Sequence, residues 1–213
     1  VYRKQLVSNI YVQDVVRDFT NVPHDPALVP IKNLVVVKAP ANGNGGYVEG
    51  VEFSAALEGK LVANALDGFG LVASASKVRS SIHAQNDPSQ PLEGLSGYTT
   101  SVTLFYEKNG FSARVNETHR SPFLAQSRNW DYTTTYTKTS ADNVVNMQLG
   151  YAFDSGWYKG LSLTLQVLNV TDSALVTQKS VGAQGFNPDP AALVPYEVRK
   201  FGRQVGLGVG YKF

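Results

Sequence analysis

The chain ends in RQVGLGVGYKF (Arg203 to Phe213), where Val205, Leu207, Val209, Tyr211 and Phe213 take every second position and Gln204, Gly206, Gly208, Gly210 and Lys212 fill the gaps. Successive side chains of a strand leave opposite faces, so a period of two predicts a strand with one apolar face and one small or polar face. The same period recurs upstream. In NVVNMQLGYAF, Val145, Met147, Leu149, Tyr151 and Phe153 alternate with polar or small residues, and in LSLTLQV, Leu161, Leu163, Leu165 and Val167 do so. Tyr47, Val51, Phe53, Ala55 and Leu57 share one face, as do Phe69, Leu71, Ala73 and Ala75. Tyr98, Val102, Leu104 and Tyr106 form another such face, followed after Asn109-Gly110 by Phe111, Ala113 and Val115. Asn-Gly between alternating runs predicts a two-residue hairpin turn, because both residues tolerate positive φ. The pattern predicts about eight strands of roughly ten residues each, with no helical period in competition.

The connections sort by length. Short or medium ones fall at Asn109-Gly110, at Asp154 to Gly160 and at Glu58 to Gly68; long ones span 19–46, 79–96, 122–142 and 173–202 and hold the prolines. Strands of this length with short turns on one side and long loops on the other are expected of an outer-membrane barrel. Composition narrows the classes further. A net charge of +2 with 17% charged residues argues against a nucleic-acid binder or a disordered tail. The absence of cysteine excludes disulfides and thiolate metal sites. Aliphatic runs such as Leu34 to Val37 fall far short of the roughly 20 residues of a spanning helix, so a membrane could be crossed only by a closed barrel.

A soluble β-sandwich or lipocalin-like barrel, with the apolar face turned inward, is the rival reading. Three details favour lipid. Aromatics (Tyr151, Phe153, Tyr211, Phe213) end the apolar faces near the short turns, as an interfacial girdle would. The opposite faces carry Gly, Ala, Ser, Thr, Asn and Gln rather than Lys and Glu. Loop lengths are sorted by side. On this reading the terminal Phe213, with Val205, Leu207, Val209 and Tyr211 at every second position before it, resembles the C-terminal signal recognised by the barrel-assembly machinery, and the C-terminus is expected on the periplasmic side.

Several runs together resemble the C-terminal part of a TonB-dependent outer-membrane receptor. LQVLNVTDSA (Leu165 to Ala174) is similar to the family's penultimate strand, and YEVRKFGRQVGLGVGYKF (Tyr196 to Phe213) to its closing strand. GGYVEGVEFSA, LDGFGLVASAS and GLSGYTTSVTLFYEKNGFSARVNETHRSPF resemble a proteobacterial branch often linked to oligosaccharide uptake, and the resemblance covers most of 31–213. It implies an all-β fold in which residues 1–213 supply about the last eight strands of a 22-stranded transmembrane antiparallel barrel. It also implies a transporter rather than an enzyme, without a cofactor, importing a scarce ligand with energy delivered by the TonB complex. Its partners would be outer-membrane lipid, the receptor's own N-terminal plug domain, the barrel-assembly machinery and a small-molecule or oligosaccharide ligand. Nothing in the sequence resembles the plug, the TonB box or the earlier strands, so the chain is expected to be a fragment. A ferric-siderophore or cobalamin receptor of the same fold, and a stand-alone small barrel acting as anchor or adhesin, are the alternatives.

The candidate ligand site is the loop SPFLAQSRNWDYTTTYTKTSAD, where Arg128, Asn129, Trp130, Asp131, Tyr132 and Tyr136 mix ring faces with planar hydrogen-bonding groups. Sugars bind to such mixtures through CH faces on rings and hydroxyls on Asn, Asp and Arg, although the same rings could simply pack against a neighbouring loop. Arg114 and Arg120 are expected on the lumen side, where they could meet ligand or plug, or form an ion pair with Glu52 or Glu107. His24, His83 and His119 lie far apart and no acidic cluster has ligand spacing, so no metal site is expected.

Overall fold

The computed structural model describes residues 1–23, 34–83, 89–128, 134–180 and 192–212, and within them the chain is all-β and antiparallel. Eight strands form one sheet: β1 (Tyr2–Leu6), β4 (Gly45–Glu58), β5 (Phe69–His83), β6 (Tyr98–Lys108), β7 (Phe111–Arg120), β10 (Asp142–Ala152), β11 (Leu161–Leu168) and β14 (Gln204–Tyr211), in that spatial order. The sheet is open, with β1 and β14 as its edges, and no closed barrel forms among the described residues. The seven strands read from the alternation all lie in this sheet, with β1 as an eighth member, and each strand pairs with the one that follows it at the same level.

The long connections are not loops throughout, which corrects the sequence reading. Between β1 and β4 the chain forms a two-stranded ribbon of β2 (Ile10–Asp18) and β3 (Leu34–Asn42). A four-stranded sheet holds β8 (Phe123–Arg128), β9 (Thr134–Thr139), β12 (Ala174–Ser180) and β13 (Leu193–Lys200), in the order β13-β12-β9-β8. These continue β7, β10, β11 and β14 along the same chain lines, so the sheet has a second tier on its long-loop side. Antiparallel hairpins simply go on pairing beyond the break, because leaving their backbone groups unpaired would cost hydrogen bonds.

The break between tiers has an identifiable cause at 169–173. Asn169 and Asp172 take positive φ (52° and 54°), the left-handed region in which Asn and Asp are enriched among non-glycine residues. The Asn169 side chain fills the resulting bend: Nδ2 donates to the carbonyls of Ser173 (3.1 Å) and Gly202 (3.2 Å), and Oδ1 accepts from the Ser173 amide (2.9 Å). Around it, Asn146 Oδ1 accepts from the Asn169 amide at 3.0 Å, Arg203 Nε donates to the Val170 carbonyl at 2.8 Å, and Ser173 Oγ donates to Asp142 Oδ1 at 3.1 Å. The NVTDS run thus ties β10, β11 and the approach to β14 at one point.

At the opposite ends the connections are tight. Asn109 (φ 52°) and Gly110 (φ 79°) close β6 to β7, as expected of Asn-Gly. Two 3-10 turns, Gly59–Leu61 and Asn64–Leu66, lie between β4 and β5, where Lys108 bonds Asp67 at 2.8 Å. That bond and the lysine's charge hold the Asp67 carboxyl below the ordinary carboxylate range.

Register turns the alternation into two distinct faces. One apolar row runs across seven strands, Leu57–Leu71–Leu104–Val115–Met147–Val167–Val205. The next runs Phe69–Tyr106–Ala113–Leu149–Leu165–Leu207. Nearest the short turns the rings gather: Phe69 and Tyr106 lie 4.6 Å apart, Tyr151 and Phe153 4.8 Å, Phe153 and Tyr158 5.5 Å. Among the described residues no apolar side chain is buried. No described residue forms a layer on this face, and Leu207 (84% exposed) and Val209 (74%) stand open. Contiguous exposed apolar surfaces of more than a few hundred Å² are the surfaces that proteins use for contact with a partner or with lipid.

Candidate functional site

The opposite face is polar and hydrogen-bonded along its rows. Asn116 Nδ2 donates to Ser101 Oγ (3.1 Å) and Thr103 Oγ1 (2.9 Å), and the Ser76 and Thr99 hydroxyls lie 2.8 Å apart. Arg114 and Arg120 both point to this face, in register with Gln148 and with Asp142. Arg114 pairs with Glu107 at 3.4 Å, one of the two partners the sequence offered, and lies 5.9 Å from the Phe105 ring centroid. Phe105 is the one large ring the polar face carries on its strand. It lies over Gly70, where an added Cβ would come within 2.1 Å of the ring. The glycine opposite makes room for the ring. Gly206, on the same row, faces open space.

At the long-loop end of this face a cavity of about 400 Å³ opens between the tiers, lined by Val78, Ser80, Leu95, Pro122, Phe123 and Lys138. Its structure follows from neighbouring connections. Ser80 Oγ accepts from the Leu92 amide at 2.8 Å, and the Gly94 amide donates to the Leu124 carbonyl at 2.7 Å, which fixes the segment 92–95 against β8. Ser96, buried, donates to the Ser121 carbonyl at 2.6 Å. The guanidinium of Arg120 stacks on Phe123 at 4.7 Å. The Phe123 ring, with Arg120 stacked on it and Lys138 also lining the cavity, makes a wall able to hold a ligand with both a flat apolar face and oxygen groups.

The sequence-chosen loop is anchored to this same wall. Arg128 closes β8, and Tyr136 lies on β9 with its amide donating to Ser180 Oγ at 3.0 Å. Asn129, Trp130, Asp131 and Tyr132 lie outside the described residues, as does the side chain of Arg128. Of the tail residues, Val205, Leu207, Val209 and Tyr211 share the apolar face of the edge strand β14, and Phe213 lies outside the described residues. Phe123, Lys138 and Ser80 were missed in the sequence; the only signal was Pro122-Phe123 beside Arg120, where a strand pauses next to a cation. No group of three or more His, Asp or Glu side chains able to hold a metal occurs among the described residues. Comparison of the chain with protein-family models, curated proteins and solved structures returns no match.

Proposed function

We propose that this chain is the C-terminal segment of a TonB-dependent outer-membrane receptor that imports a scarce ligand, an oligosaccharide in the reading we favour. The observation that carries the membrane part is the uncovered apolar face, which crosses the sheet in continuous rows and is bordered by rings on the short-turn side. A face of this kind needs lipid or a second layer, and none of the described residues forms a layer. The polar face then becomes the lumen wall, where Arg114 and Arg120 stand, and the second tier becomes the extracellular rim. The open edges at β1 and β14 favour a segment of a larger barrel over a stand-alone eight-stranded one, since exposed edges are sites of further pairing. With short turns periplasmic, the C-terminus is periplasmic too. Transport rather than catalysis, the plug, the TonB complex and the assembly machinery follow from the sequence resemblance.

The ligand class rests on the wall of Phe123, Arg120 and Lys138 and on the Trp130 loop that leaves it. A ferric siderophore, also bound by rings and arginines, is the second reading, favoured by Lys138 at the cavity and by Arg120 stacked on its Phe123. Uptake of labelled oligosaccharide by cells producing the receptor tests the proposal. Uptake should require both the receptor and TonB, and fall with Trp130→Ala plus Tyr132→Ala while receptor levels stay constant. Uptake that persists without TonB would refute it.

A further inference from the structure

The border of the apolar face on its long-loop side carries a cationic cluster. Arg3 on β1, and Lys77 and Arg79 on β5, lie on the same face as Val51, Phe53 and Ala75: Lys77 stands in the row of Val51, and Arg3 and Arg79 stand one row beyond it. Glu49 stands between the arginines: Arg3 Nη1 approaches its Oε2 at 3.3 Å, and Arg79 Nε bonds its Oε1. Arg3 also stacks on the Tyr47 ring at 4.8 Å, and Tyr98 sits opposite Lys77. Three cations thus face one carboxylate, leaving a surplus of two positive charges. Glu117 is on this face but lies in register with Val102, within the apolar band. Glu49 is largely covered (16% exposed), while Arg79 and Arg3 remain open at 78% and 63%. The carboxylate therefore fixes the guanidinium planes and leaves their remaining donors outward. Lys77, two residues from Arg79 on one strand, has its Cα about 7 Å along the same face.

We propose that Arg3, Lys77 and Arg79 bind the phosphates of the phosphorylated glycolipid of the outer leaflet, with its acyl chains lying on Val51, Phe53 and Ala75. The proposal rests on the outer-membrane reading above. Guanidinium forks match phosphate oxygens in pairs, and a surplus of cations at the edge of an apolar band complements an anionic headgroup above acyl chains. The cluster's place at the long-loop end selects the outer leaflet rather than the periplasmic one. Tyr47 and Tyr98 flank it as interfacial rings.

The test uses the protein in nanodiscs of phosphatidylcholine doped with bisphosphorylated glycolipid, its dephosphorylated form, or phosphatidylglycerol, with retained lipid counted by native mass spectrometry. The wild type should retain the bisphosphorylated glycolipid at least about tenfold better than the dephosphorylated one. Arg3→Gln with Lys77→Gln and Arg79→Gln should lose that preference, whereas Arg3→Lys with Arg79→Lys should keep most of it. Incorporation with an unchanged preference in the triple glutamine variant, or equal retention of phosphatidylglycerol, overturns this site alone. Failure to enter the disc overturns the outer-membrane reading, and the site with it.

Discussion

Replacing Asn169 by alanine should loosen the joint between the two tiers. The side chain's three hydrogen bonds, to the Ser173 carbonyl and amide and to the Gly202 carbonyl, disappear together. A net value near 1 kcal/mol for each, reduced because water reaches this half-buried site, gives about 2 kcal/mol. Alanine must also hold the positive φ of 52° that asparagine tolerates, which adds about 1 kcal/mol. The expected loss is therefore about 3 kcal/mol for Asn169→Ala and about 2 kcal/mol for Asn169→Gly, since glycine takes this φ freely. The assay is urea unfolding of the protein in detergent micelles, followed by gel mobility of unheated samples. Alanine should lower the midpoint by roughly 1–3 M, with glycine in between, and amide exchange at Ser173 should quicken in both. If neither variant moves the midpoint, or if glycine is as damaging as alanine, the reasoning from this bend is wrong.

Other consequences are simpler to state. Leu163→Arg should destabilise the inserted protein by about 2–4 kcal/mol and Thr164→Arg by clearly less, read from folded fractions in bilayers of fixed composition. Gly70→Val should cost about 1–3 kcal/mol because its side chain meets the Phe105 ring, while Gly206→Val, with open space beside it, should be nearly neutral in a thermal melt. The Lys108 hydrogen bond and charge hold Asp67 below its unfolded value, so its contribution is present above the unfolded value and is lost as pH falls through the folded one; protection of amides near Gly68 should fall as pH drops below the ordinary carboxylate range. Phe213→Asp should lower the amount of assembled protein in outer-membrane fractions, and wild-type levels would count against a C-terminal assembly signal.

The main sheet was legible because its signal is local. Strict alternation in Val205 to Tyr211 and Leu161 to Val167 fixes which side chains share a face, and a slip of one residue would invert both faces at once. Asn109-Gly110 likewise names its own turn. The second tier was not legible, since TTYTKT (Thr134–Thr139) is polar on both faces and carries no period. Its strands exist because neighbours continue their pairing, which no single segment reveals. Phe105 escaped notice for a related reason: its place on the polar face depends on Gly70 across the strand pair. The cavity at Phe123 and Lys138 joins residues from β5, β8, β9 and the segment between β5 and β6, so only the folded chain brings them together. Asn169 could be singled out by resemblance, but its role as a joint needed the three bonds.

The cysteine-free sequence permits a direct reading of which medium each face meets. Single cysteines at Leu163, Leu165, Leu207 and Val209, and at Thr164, Gln166, Gly206 and Gly208, would each carry a nitroxide in the bilayer-reconstituted protein. Collision rates with oxygen, which concentrates in lipid, and with a water-soluble nickel chelate would then be measured for every site. Membrane-facing rows require high oxygen and low nickel rates at the first four positions, and the reverse phase at the second four. Low rates for both reagents at Leu163, Leu165, Leu207 and Val209 would mean that another protein layer covers the apolar face, and would contradict the barrel-wall account.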